Sequence, residues 1–164
     1  MASRGFAHDL IEGAPLCRWK LGDLLLDVMP TDSALLGFSN RWYPEAIRMS
    51  QRVRLPNGIE ISVMAPPSFL ATKLEAFYGR GNGDFAASHD IEDLVCVVDG
   101  REEIVKEVHA SDEPLSAYLR VELGRLLADG KFTSDLPGHL PSDTASQARL
   151  PILLRRLTAM TEAK

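Results

Sequence analysis

Apolar residues recur at helical spacing in the middle of the chain and predict two consecutive helices. The first is expected to begin after Pro66-Pro67, with Ser68 as its N-cap, and to end in the glycine-rich segment 79–83. Its buried stripe is expected to contain Leu70, Leu74, Phe77 and Tyr78. The second is expected over 88–100, and its main apolar face contains Ile91, Leu94, Val95 and Val98. Cys96 and Val97 widen this apolar surface, so the second helix is predicted to be buried on more than one side.

Shorter apolar runs on the N-terminal side of these helices predict β-strands. Residues 17–20 and 23–29 are interpreted as two strands joined by a tight turn. The second of them is almost entirely apolar and is expected to be a central strand buried on both faces. The turn signal Pro-Asn-Gly at 56–58 is expected to join strands over 53–55 and 59–65 in a second hairpin.

The C-terminal part predicts further helices, separated by a polar segment. A short helix is expected over 101–110, and a long one is expected to begin at 111–112 and to end before Gly130. The last helix either folds back on the domain or pairs with another chain. The sequence therefore predicts an α/β (α+β) protein, with a small mixed β-sheet followed by a helical part. The predicted order is a β-rich part (1–65), a helical part packed on the sheet (66–130), a linker (131–146) and a C-terminal helix (147–164).

Composition places the chain among ordinary globular proteins. It has 164 residues, of which 45% are hydrophobic and 25% charged, and this length suits one domain. The net charge of -5 provides no overall positive field for nucleic acid. The two cysteines have no metal-binding spacing, and no signal peptide or membrane-length apolar run is recognised. These features predict a cytoplasmic protein with buried free thiols and no membrane partner.

Acidic residues on the second predicted helix raise the question of a polar site. Asp90 and Asp93 lie on a helix expected to be well packed, and Lys73 lies beside the buried stripe of the preceding helix. Buried carboxylates are costly unless they are paired, hydrogen-bonded or bound to a cation. The structural alternative is that Asp90 complements the helix dipole, Lys73 extends to water, and Arg80 and Arg101 neutralise the acids. Spacing alone favours this structural interpretation.

Asp27 is a second candidate, because it is an acid near the end of the apolar strand 23–29. It either caps the following turn or pairs with an arginine such as Arg18, or else it acts as a metal ligand or general base. The residues alone leave these alternatives open.

Five stretches, taken in order, resemble the nucleotidyltransferase-fold toxins of the abortive-infection (AbiEii/AbiGii) type. They are GAPLCRW, DLLLDVMPTD, LGFSNRWYPEA, FLATKLEAFYGRG and SHDIEDLVCVVDGR, and the match as a whole extends from about Gly13 to His109. The resemblance implies a palm-like sheet flanked by helices. It also implies transfer of an NMP unit from an NTP to an RNA or protein acceptor, supported by Mg²⁺.

The resemblance also implies roles for individual residues. Asp27 matches a metal-binding acid that could also act as the base, and Lys73 matches the lysine that holds the triphosphate. Asp90 and Asp93 match the acids of the later helix, which complete the catalytic and nucleotide-binding site. Arg80 is a candidate phosphate contact.

One expected motif has no counterpart in this sequence. Family members carry an early glycine-containing motif that ends in two alternating aspartates on a strand, and nothing before Asp23 has this pattern. We therefore expect an incomplete active site, in a truncated or decayed relative or in a remnant that needs another polypeptide. The alternatives to a nucleotidyltransferase are a non-catalytic nucleotide-binding remnant and a protein-interaction module. The expected partners are a nucleotide, tRNA, a cognate antitoxin or a second copy of the chain.

Overall fold

A computed structural model describes residues 1–32, 34, 40–80 and 83–163, except for the side chain of Arg80. The chain divides into two compact units, 1–40 and 41–164. The boundary between these units follows Asn40. The sequence had predicted a division after residue 65. The physical reason is that the second predicted hairpin pairs with itself and leads directly into the helices. Gly81, expected to help end the first long helix, lies outside the described residues.

The N-terminal unit is built on a small antiparallel sheet. A short 3-10 helix, Ala2–Arg4, precedes the strands β1 (Ala7–His8), β2 (Arg18–Leu21) and β3 (Leu24–Asp27), which are ordered β1-β2-β3. The β2–β3 register pairs Arg18 with Asp27 and Leu21 with Leu24. Gly22 has a φ of 57° in the tight turn, as the turn prediction requires.

The prediction that this apolar strand is buried on both faces is wrong. All four residues of β3 are exposed, and Leu24 is 64% exposed. A continuous apolar run implies burial only where other layers cover both faces of the sheet. In the described residues of this unit β3 is an edge strand of a single sheet, so it lacks those layers.

The second unit begins with a helix and a hairpin. These are α1 (Tyr43–Arg48), β4 (Gln51–Arg54) and β5 (Glu60–Val63). The two strands are antiparallel with Val53 opposite Ile61, which confirms the predicted hairpin. Gly58 has a φ of 85° and donates its N–H to the carbonyl of Leu55 in the turn.

The rest of this unit is helical. The helices are α2 (Pro66–Arg80), α3 (His89–Gly100), α4 (Ile104–Ala110), α5 (Glu113–Ala128), α6 (Gly130–Asp135), a 3-10 turn (Leu136–His139), α7 (Thr144–Gln147) and α8 (Leu150–Thr161). Ser88 caps α3, because its Oγ accepts the N–H of Ile91 at 3.3 Å. Ser68 does not cap α2; the helix begins at Pro66, so Ser68 lies inside its first turn.

The helical stripes predicted from the sequence form the core. Leu70, Leu74 and Phe77 of α2 pack with the apolar face of α3, in one cluster that also includes residues of α4, α5 and α8. Two expectations at the edge of this core are wrong. Tyr78 is 39% exposed, and Cys96 is an exposed free thiol, because each lies beside the buried stripe of its helix.

Residues 131–146, predicted to be a linker, are part of the core. They form α6, the 3-10 turn and α7, and they bury Phe132, Leu136 and Leu140. These three residues are each four apart, which is a helical spacing that the polar composition obscured. The ring of His139 lies 2.8 Å from the carbonyl oxygen of Phe85 and connects this segment to the loop after α2.

The last helix folds back on its own unit. Its stripe of Leu153, Leu157 and Met160 is buried. Arg149 pairs with Asp99, and Arg156 donates to the carbonyl oxygens of Val98 and Asp99 at 2.8 and 2.5 Å. The apolar stripe that could have paired with a second chain is therefore buried within its own unit.

Together, the described residues contain helices and small antiparallel sheets, which confirms the predicted α/β (α+β) class. The sheet expected to be mixed is present as two separate antiparallel sheets. In the described residues we find no helix long and apolar enough to cross a membrane. The nucleotidyltransferase palm stays a prediction.

Because Leu157 is fully enclosed, its truncation should destabilise the helical unit. Leu157→Ala is expected to lower the free energy of unfolding by about 2–5 kcal/mol. Ile152→Ala, a control at a partly exposed position of the same helix, is expected to cost under about 1 kcal/mol. Urea unfolding followed by circular dichroism measures both changes. Equal small effects would contradict the packing of α8 in the core.

Candidate functional site

A lysine between two carboxylates lies where α2 packs against α3. Lys73 Nζ is 3.3 Å from Asp90 Oδ1 and also forms an ion pair with Asp93. Asp90 and Asp93 are three residues apart on α3, so both project from the same face of the helix toward α2. The structure thus brings together three of the five residues predicted from the sequence.

Burial differs across this cluster. The side chain of Asp90 is 8% exposed, that of Lys73 22% and that of Asp93 48%. Lys73 therefore reaches from a buried acid to one at the surface. The Lys73 ammonium also lies 5.4 Å from the ring centroid of Phe69, within the range of a cation–π contact.

The local sequence explains why α3 tolerates a buried acid. Asp90 is the second residue of α3, two positions after the N-cap Ser88, and lies in the first turn, where the helix dipole favours negative charge. The ammonium of Lys73 provides the opposite charge from the neighbouring helix. The helix dipole and Lys73 together offset the cost of removing the Asp90 carboxylate from water.

Asp27 lies in the other unit and is paired there. Its two carboxylate oxygens accept hydrogen bonds from Nε and Nη2 of Arg18 at 2.8 and 2.9 Å. This bidentate contact lowers the pKa of Asp27 from its usual value. Pairing with Arg18, one of the alternatives left open by the sequence, is thus confirmed. The convergence of Asp27 with Lys73 stays a prediction.

Arg80, the predicted phosphate contact, is the last residue of α2. Its side chain lies outside the described residues, so its role also stays a prediction.

The carboxylates do not form a recognisable metal centre. In the described ranges no group of three His, Cys, Asp or Glu side chains could hold a metal ion. Arg18 already binds both oxygens of Asp27, and Lys73 places a positive charge between Asp90 and Asp93. These residues therefore do not fit the Mg²⁺ site implied by the resemblance, and we assign it no ligands.

A second polar cluster was missed by sequence reasoning. The Tyr118 hydroxyl donates a hydrogen bond to Glu75 Oε2 at 3.2 Å, and Arg41 forms an ion pair with the same carboxylate at 3.0 Å. The Arg41 guanidinium also lies 4.6 Å from the Tyr118 ring centroid. Burial is the main cause that raises the pKa of Tyr118 to about 12. Trp42 packs against the core beside this cluster, with its ring centroid 4.9 Å from that of Tyr118. No sequence signal identifies the cluster, because its members are distant along the chain.

Comparison with known proteins provides no relative. No protein-family model, curated protein or solved structure matches this chain. The resemblance to nucleotidyltransferase-fold toxins therefore rests on the quoted motifs alone.

The Arg18–Asp27 pair predicts an acid-dependent change in the N-terminal sheet. Because the folded pKa of Asp27 is lowered, the pair stabilises the folded state above the unfolded pKa and is lost as pH falls through the folded value. Carbon-detected NMR titration should show an Asp27 midpoint below the usual range. In Arg18→Gln the midpoint should return to about 3.9. An Asp27 midpoint that is the same in both proteins would contradict the pairing.

The Lys73 cluster predicts strong energetic coupling between α2 and α3. Lys73→Met removes the positive charge beside buried Asp90 and is expected to lower the free energy of unfolding by about 1–3 kcal/mol. This loss is smaller than for a fully enclosed ion pair, because Lys73 reaches the surface. Asp90→Asn in the same background should recover part of this loss. Urea unfolding of both single variants and the double variant measures the coupling. Strict additivity would show that Lys73 and Asp90 do not interact.

Proposed function

We propose that this chain is a nucleotidyltransferase-type protein of the toxin–antitoxin or phage-defence kind, and that it binds the phosphates of an NTP through Lys73. The observation that supports this most is the position of the Lys73 ammonium, which two acids of α3 hold at the edge of the core. A lysine fixed in this way needs little reordering to bind an anion, which lowers the entropic cost of binding.

Donor geometry supports a role for Lys73 beyond packing. An ammonium group has three N–H donors, and Asp90 and Asp93 account for two of them. The third can donate to a phosphate oxygen. Because Asp93 is about half exposed, a ligand can approach the ammonium from that side without displacing buried Asp90.

Charge imposes a condition on the ligand. When all three groups are ionised, one ammonium and two carboxylates leave a net charge of -1, which repels an uncompensated triphosphate. The proposed ligand is therefore an NTP whose charge is reduced by an accompanying cation such as Mg²⁺. The acceptor of the NMP unit, an RNA or a protein, belongs to the same proposal.

A non-catalytic binding module is the second candidate, and one observation favours it. Asp27, Asp90 and Asp93 each contact a basic side chain, so the acids expected to do chemistry already have structural roles. In this alternative the nucleotide binds but no transfer follows. An interaction module that uses the apolar stripe of α8 is disfavoured, since that stripe is buried inside the chain.

Calorimetry with ATP, GTP, CTP and UTP, with and without Mg²⁺, tests the proposal. Asp93→Asn removes the exposed negative charge and keeps Asp90 paired, so it is expected to strengthen binding by about tenfold. Lys73→Ala is expected to weaken binding by at least about tenfold. Lys106→Ala, which changes an exposed lysine paired with Glu103 on α4, serves as the matched control.

Labelled NTPs incubated with Mg²⁺ and bulk tRNA, or with the protein alone, separate the two candidates. Covalent label on the RNA or the protein supports transfer. Binding without label, lost in Lys73→Ala, supports the binding module. If no nucleotide binds the folded protein, or if Lys73→Ala and Lys106→Ala bind equally well, both candidates that use Lys73 are wrong.

A further inference from the structure

A separate cleft lies at the C-terminal end of α2, beside the start of α6. Its volume is about 450 Å³, which lies within the usual range for small-molecule sites. Aromatic and cationic side chains share its wall: Phe77, Tyr78, Phe85, Arg125 and Lys131. Neither Lys73 nor any of its acidic partners lines this cleft.

The aromatic side of the cleft presents a planar surface. Tyr78 is partly exposed there, whereas Phe77 and Phe85 are buried and stack with their centroids 5.0 Å apart. An ideal Cβ placed on Gly79 would meet no other atom within 4 Å, so open space lies next to the Tyr78 backbone. Tyr78 therefore offers an exposed aromatic surface at the cleft for a flat ring.

Two cationic side chains, Arg125 and Lys131, also line the cleft. The Arg125 guanidinium lies 4.8 Å from the Tyr78 ring centroid, and one of its nitrogens is 3.7 Å from Glu122 Oε2, which is too far for a hydrogen bond. The Arg125 guanidinium therefore lies near Glu122, but its N–H donors are not hydrogen-bonded to that carboxylate. In the described part of the chain the Lys131 side chain forms no ion pair, and its backbone N–H donates to Asp129 Oδ1 at 2.8 Å.

The formal charges of the four ionisable side chains named here sum to zero. Arg125 and Lys131 are opposed by Asp129 at the wall and by Glu122 behind it. Such a balance suits a ligand with one anionic group and disfavours a polyanion such as a triphosphate. The Tyr78 hydroxyl is protonated near neutral pH, as in an ordinary tyrosine, and can donate a hydrogen bond. Burial, followed by the nearby charge of Glu122, raises its pKa further.

We propose that this cleft binds a small planar aromatic molecule that carries one anionic group. The ring lies against Tyr78, and the anionic group accepts hydrogen bonds from Arg125 and Lys131. The anion can be a carboxylate or a monophosphate, since both accept from a guanidinium in a forked geometry. The proposal is independent of the site at Lys73.

Protein-observed NMR titration tests this with four probes. Indole-3-carboxylate and AMP contain both a ring and an anion, whereas indole lacks the anion and inorganic phosphate lacks the ring. The two complete probes are expected to shift the amide signals around Tyr78 and to bind at least about tenfold more tightly than either partial probe. A preference between the two complete probes identifies the anion as a carboxylate or a monophosphate.

Exposed side chains supply variants that should remain folded. Arg125→Gln and Lys131→Gln are each expected to weaken binding of indole-3-carboxylate and AMP by about tenfold. Arg155→Gln, on the exposed side of α8, should leave the affinity for both probes unchanged. Indole binding as tightly as indole-3-carboxylate, phosphate as tightly as AMP, or no shift with any probe would each overturn the proposal. So would AMP binding that is lost in Lys73→Ala but kept in Arg125→Gln, a result that would assign AMP to the Lys73 site.

Discussion

The packing of α2 against α3 is the constraint on which the helical unit depends. It buries the apolar stripes of both helices and, at the same time, encloses Asp90 beside Lys73. The two effects are linked, because the helices cannot approach without removing the Asp90 carboxylate from water, and the helix dipole and the Lys73 ammonium together compensate for that step. A polar cluster is thus part of the core and not an addition to its surface.

Both ends of α3 are fixed by groups outside the helix, and this determines where its acids point. Ser88 caps the first turn, while Arg156 of α8 donates to the carbonyl oxygens of Val98 and Asp99 at the last turn. Basic groups near a helix C-terminus also complement its dipole. The fold-back of α8 therefore serves the candidate site indirectly, since it holds the helix that carries Asp90 and Asp93.

Helical periodicity and turn chemistry predicted much of this unit from the sequence. Leu70, Leu74 and Phe77 identify the buried face of α2, and the Pro-Asn-Gly turn identifies the hairpin, because both signals are local. Burial of β3 could not be predicted, since an apolar run does not reveal which layers cover it. The cluster of Arg41, Glu75 and Tyr118 could not be predicted from the sequence either, because these residues meet only after the helices pack. Within the candidate site, the resemblance implied that Lys73, Asp90 and Asp93 share a site, and the three side chains are in contact in the structure. Spacing alone had favoured separate structural roles for them, and their chemical roles stay a proposal.

The central claim is that the Lys73 ammonium, held by two acids of α3, receives nucleotide phosphate. Proton–nitrogen NMR of lysine ammonium groups tests it most directly, with the Lys73 signal identified by its loss in Lys73→Arg. We predict slow hydrogen exchange at Lys73 Nζ before ligand is added, and a through-hydrogen-bond coupling to phosphorus after ATP and Mg²⁺ are added. A Lys73 signal that exchanges as fast as that of exposed Lys106, or that is unchanged by saturating nucleotide, would contradict the account.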